Sequence, residues 1–129
     1  MKCILLILTC VATLTIGAVS AADVIVPFGI PKPPNARLAI NDAYDSGAGD
    51  REEWIARFGT KASRQDTIAF YRDALEQAGF EIYSTADRAG SAMLAAKRDS
   101  DRITISFKDK SDWVETNVSE ISIKAVYNK

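Results

Sequence analysis

The sequence predicts a two-layer α+β domain in which one main helix packs on an antiparallel sheet, in the order β-β-α-β-β-β. Three observations carry this expectation. A capped stretch with a 3.6-residue apolar period lies between Ser63 and Gly79, and period-2 alternation follows on either side of it. The segments between the alternating runs are short and rich in Gly, Asp and Ser, which joins consecutive strands as antiparallel neighbours.

The helix has the strongest local signals. Ser63 is a good N-cap, Asp66 places a carboxylate in the first turn, and Gly79 is the expected stop. At 100° per residue, Ile68, Phe70, Tyr71, Ala74, Leu75 and Ala78 share an arc of roughly 160°, with Ile68, Tyr71 and Leu75 at its middle. Gln65, Arg72, Asp73 and Glu76 lie outside it. Such a face is built to lie on a sheet.

Before the helix, residues 36–41 form a first strand and residues 42–50, with their glycines and short polar side chains, a long hairpin loop. Residues 53–60 form a second strand whose core face carries Trp54, Ala56 and Phe58, with Glu53, Ile55 and Arg57 opposite. After Gly79, Phe80 and Ile82 alternate with Glu81 and Tyr83. A turn at residues 87–90 leads to a strand over 92–98, and Asp99-Ser100-Asp101 turns again. In the next strand Ile103, Ile105 and Phe107 face one way. The last strand points Ile121, Ile123, Ala125 and Tyr127 together.

Upstream of the domain, residues 1–22 have the order of a secretory signal peptide: a basic start at Lys2, an apolar middle and a small-residue exit at residues 18–22. Residues 23–35, with Pro27, Pro31, Pro33 and Pro34, read as an extended tether, leaving 36–129 as a single domain. The stretch before Cys10 is a poor lipid-attachment signal, so an unlipidated periplasmic or secreted protein is expected, with no transmembrane segment in the mature chain.

Loss of the leader removes both cysteines, Cys3 and Cys10, from a chain that has no histidine. Thiol catalysis, a Ser-His-Asp triad and the common zinc sites all need one of those side chains. The mature chain keeps 15 basic and all 17 acidic residues, a formal charge of −2, which argues against a nucleic-acid partner. Glu52 and Glu53 are adjacent on a strand and point to opposite faces, so they do not form a general acid–base pair. The aspartates flanking residues 46–49 and those at 99 and 101 match no EF-hand and suit hairpin turns. No catalytic residue, cofactor or metal site is expected.

Three aromatic residues are candidates for contact with a partner. Trp113 lies in a polar loop with Lys110, Asp112 and Glu115, one large apolar group with a polar rim. Tyr83 falls opposite Phe80 and Ile82, on a mixed outer face with Glu81, Arg57, Thr104 and Lys124. Tyr44 is the third.

The run Phe70-Tyr71-Arg72-Asp73-Ala74-Leu75 with Gly79-Phe80 resembles a segment of small exported or lipid-anchored bacterial proteins of mostly unassigned function. The layout is also similar to BamC-type helix-grip domains. That resemblance implies a bacterial periplasmic setting and a helix gripped by a sheet, and carries no functional residues. The expected function is a small exported, non-catalytic binding module for a protein or cell-envelope component. A small inhibitor or immunity-type protein blocking an exported enzyme is the alternative.

Overall fold

The computed structural model describes residues 24–45, 49–109 and 118–128. The expected leader, residues 1–22, and Trp113 therefore lie outside the described residues.

The chain runs as β1 (Arg37–Asp45), β2 (Arg51–Thr60), α1 (Arg64–Gln77), β3 (Glu81–Arg88), β4 (Ser91–Arg98), β5 (Asp101–Lys108) and β6 (Ser119–Asn128). The six strands form one sheet in the order β1-β2-β6-β5-β4-β3, with every neighbouring pair antiparallel. The two-layer arrangement of one helix on an antiparallel sheet is the expected one. Four strands follow the helix, however, where three were expected, because the short alternation at residues 80–83 opens a full strand through Arg88. A shift of register between Ile82 and Ser84 lets β3 continue along β4 despite its polar composition.

The first hairpin is tighter than the sequence suggests. β1 continues through residues 41–45, pairing Asn41 with Ala56 and Asp45 with Glu52, so the expected loop over 42–50 shrinks to its last residues. Asn and Asp are poor strand formers on average, but β1 is the outermost strand of the sheet, where that preference is weakest.

Helix α1 begins and ends where its caps require. The Ser63 hydroxyl accepts a hydrogen bond from the Asp66 amide at 3.1 Å. At the other end Gly79 takes φ +81°; its amide donates to the Glu76 carbonyl at 3.0 Å and the Phe80 amide to the Leu75 carbonyl at 2.9 Å, the paired bonds of a Schellman stop. The Arg98 guanidinium donates to the Ala78 carbonyl at 2.7 Å, placing a cation at the negative end of the helix. The buried line along α1 is Thr67, Tyr71 and Leu75. Ile68, expected at the middle of the apolar arc, sits at its half-buried margin.

The helix lies against β3, β4 and β5, covering one half of the sheet's core face. The other half presents Trp54, Ala56 and Phe58 of β2 and Ile121, Ile123 and Ala125 of β6, and all of these are buried. Residues 24–36 share their cluster: Val24, Val26 and Ile30 are each no more than 5 % exposed, with Phe28 and Ala36 packed against them. The tether reading of residues 23–35 is thereby corrected. Prolines deny this segment the donors of a sheet strand, yet its apolar side chains still bury on the domain.

Candidate functional site

The β2–α1 junction places the site. Thr60 ends β2 with its hydroxyl turned back to accept from the Ala62 amide at 3.0 Å, and three residues later Ser63 starts the helix. This tight passage brings the first two turns of α1 beside the start of β6 and beside residues 33–35. Between them lies a cleft of about 260 Å³ walled by Pro33, Pro34, Phe70, Tyr71 and Ile121. Two neighbouring recesses of about 520 and 360 Å³ share Thr60 and Ala62 with it, the larger also Asn35, but add Lys61 with Arg37 in one and with Arg64 and Asp109 in the other. The smallest of the three is thus the most apolar in chemistry.

Its polar groups are few and unequal. The Tyr71 side chain is fully buried and its hydroxyl donates to the Pro31 carbonyl at 3.1 Å, tying α1 to the N-terminal segment. Burial pushes that phenol well above its ordinary pKa. Thr67, one helical turn earlier on the same line, is 4 % exposed, and its Oγ1 has no hydrogen-bond partner. A hydroxyl buried unpaired costs roughly 1–3 kcal/mol. Asn35, Thr60 and Asp66 complete the lining, and a mainly apolar cleft of this kind can accept a small, mostly apolar group that brings one hydrogen-bonding atom.

The sequence-predicted contact residues do not converge on this cleft. Tyr83 is 53 % exposed at the β3 edge, with the Lys97 ammonium 5.8 Å from its ring centre. Tyr44 pairs with Glu53 on β1, on the far side of the sheet order from β3. Trp113 lies outside the described residues; the chain leaves and re-enters them at Asp109 and Val118, where Ser119 Oγ donates to Asp109 Oδ1 at 3.0 Å. The residue that sequence reasoning missed is Thr67. Its signal was positional: it stands four residues before Tyr71 and eight before Leu75, in line with both.

A second cluster fixes the opposite end of residues 24–36. The Phe28 ring lies 5.2 Å from Phe80 and 5.7 Å from Tyr127, with the Arg98 guanidinium over both Phe28 and Phe80. The Tyr127 hydroxyl meets Glu52 Oε1 at 3.2 Å; burial, then that bond and the carboxylate's charge, raise its pKa. Phe28 reaches this position at φ +68°, a left-handed conformation costing a side-chain-bearing residue about 1–2 kcal/mol. Among the described residues, no group of three or more His, Cys, Asp or Glu side chains is placed to hold a metal ion, and no helix is long and apolar enough to cross a membrane.

A family model described as START domain-like matches residues 41–116. This is more than half of the 129 residues, and the chain belongs to that family. The family is of the helix-grip type, which agrees with the layout read from the sequence. The matched stretch carries the Thr60–Tyr71 wall of the cleft, whereas Pro33, Pro34 and Ile121 fall outside it. No curated protein and no solved structure matches the chain.

Proposed function

We propose that this member of the START domain-like family is an exported, non-catalytic binding module, periplasmic or secreted, which takes part of a cell-envelope component into the cleft beside Thr67. The observation that carries this reading is the unpaired Thr67 hydroxyl on a recess that is mainly apolar, with Asn35, Thr60 and Asp66 also in its lining. A hydroxyl whose only role was packing would be better replaced by a methyl group, since burying it unpaired destabilises the free protein. Its retention fits a partner atom supplied from outside. The family match supports a ligand-binding fold, and the basic, apolar and small-residue order of residues 1–22 supports export. The size of the cleft, below the roughly 300–1,000 Å³ of drug-sized ligand sites, suits one ring or the end of one chain rather than a whole large molecule.

A matched pair of probes tests the reading. 1-Naphthol and naphthalene share a ring system and differ by one hydroxyl. Wild-type protein should bind 1-naphthol about fivefold more tightly than naphthalene after correction for their water solubilities, the effect of one neutral hydrogen bond. Thr67→Val should abolish that preference while still admitting naphthalene. Equal preference in the two proteins, or no binding of either probe, would remove the cleft from the account of function.

A further inference from the structure

We propose that residues 24–36 are a displaceable strap, opening as a unit from the sheet and helix, and that its opening gates the cleft beside Thr67. The gating half rests on the binding role proposed above; the independent opening of the strap does not.

The strap supplies cover that the helix does not. α1 lies over β3, β4 and β5, while Val24, Val26 and Ile30 bury in the core cluster that also holds the core-face side chains of β2 and β6, and Phe28 reaches Tyr127 of β6. The same segment, through Pro33 and Pro34, is one wall of the cleft. Anything that moves residues 33–35 therefore changes the cleft, and anything seated deep in the cleft meets the strap.

Its attachment differs in kind from that of the strands. All four prolines of the chain lie within it, at 27, 31, 33 and 34, so four of its residues have no amide donor. The main-chain bonds of its two turns, Ile30 to Pro27 and Ala36 to Pro33, are both long at 3.4 Å. Two residues other than glycine hold left-handed backbone within it, Phe28 at φ +68° and Asn35 at φ +54°, and that strain is relieved when the segment leaves. Against these stand apolar burial at Val24, Val26 and Ile30, the ring cluster around Phe28 and the Tyr71 hydroxyl on Pro31. Side-chain anchorage with a strained, donor-poor backbone is the composition of a segment that opens below the free energy of global unfolding. At its C-terminal end Asn35, in left-handed backbone, stands just before β1 and gives the strap a place to turn.

Two measurements on the full chain decide the proposal. The first is native-state hydrogen exchange, comparing the Ile30 amide with the Ile105 amide at the centre of β5. Ile30 should exchange at least about 100-fold faster, through an opening that leaves Ile105 protected; equal protection of both would show that the strap opens only when the domain unfolds, and would overturn the proposal. The second is a distance measurement between spin labels at Ile25→Cys and Arg72→Cys, with Cys3 and Cys10 replaced by Ser. Ile25 is 87 % exposed and Arg72 is on the outer face of α1, so neither label displaces a packed side chain. Saturating 1-naphthol should add a second distance population to the single one of the free protein. Binding of 1-naphthol, read by its fluorescence, with the distance unchanged would overturn the gating. Absence of 1-naphthol binding would overturn the cleft reading and the gating with it, while faster exchange at Ile30 would still establish the opening.

Discussion

Replacing Thr67 by valine should make the protein more stable. The side chain is buried at 4 % exposure and its Oγ1 is unpaired, so the folded state carries the desolvation of a hydroxyl, roughly 1–3 kcal/mol, with nothing to offset it. Valine has nearly the same shape, the same branching at Cβ and a similar helix propensity, so the substitution exchanges the hydroxyl for a methyl without a cavity or a clash. A gain of about 1–2 kcal/mol follows, or about 4 °C or more in Tm for a domain of this size. Urea unfolding at neutral pH reads it directly, with an unchanged slope showing that neither end state has altered in compactness. Thr67→Ser provides the control: it keeps the hydroxyl and loses a buried methyl, so it should be less stable than wild type. The reasoning is refuted if Thr67→Val is destabilised by about 1 kcal/mol or more, because the hydroxyl would then be hydrogen-bonded in the free protein and would need no external partner. A residue that is stabilised by removal of its polar atom, yet needed for the 1-naphthol preference, is the signature of a binding group held at a cost to the fold.

Leu75→Ala, at a side chain with no exposed surface, should cost about 2–5 kcal/mol in urea unfolding through lost burial and the cavity left behind. The raised Tyr71 pKa gives a signed pH effect: below pH 10 the phenol is protonated in both states and its contribution is fully present. Above pH 10 the unfolded chain releases the proton while the fold holds it. Stability should therefore fall by up to about 1.4 kcal/mol per pH unit from this group, and Tyr71→Phe should remove about 1 kcal/mol of the loss between pH 10 and 11. Trp113→Ala should weaken capture of an envelope partner by about 2 kcal/mol or more and leave the unfolding midpoint in place; a large shift in midpoint with capture intact would make Trp113 a structural cover. Intact mass of the native protein should place the mature N-terminus between Ala21 and Asp23, without an acyl group on Cys10; a retained Met1 would refute it.

The parts of the fold legible in the sequence are those whose signals are local and mutually consistent. Ser63, Asp66 and Gly79 each report one end of α1, and the observed bonds at both ends use those residues. The alternation of Ile103, Ile105 and Phe107 reports the core face of β5 directly, because side chains two residues apart must share a face. Strand β3 was only half legible: its later residues, Ser84 to Arg88, carry little apolar periodicity, and their pairing comes from the neighbouring β4 rather than from their own pattern. The central line of α1 was displaced by one position for a chemical reason. Threonine is assigned to a polar face by default, so the arc was centred on Ile68, and the buried Thr67 was not weighed as a site.

The N-terminal segment shows why proline content alone misleads. Proline removes a donor and fixes φ, and both effects argue against a strand within a sheet. Neither argues against burial, since Val24, Val26 and Ile30 need only a surface to cover. The half of the sheet left bare by α1 is such a surface, and no feature internal to residues 24–36 could announce it; the vacancy arises from where the helix lands, over β3, β4 and β5. A segment carrying four prolines forms no strand of the sheet and packs on the core by its side chains instead, with the Tyr71 hydroxyl on Pro31. The same lack of ladder bonds that hid the strap from sequence reading is what allows it to leave without unpairing a strand. The cleft at Thr67, walled by that strap on one side and by the helix on the other, is therefore the place where a ligand would gain most from shifting a weakly held element.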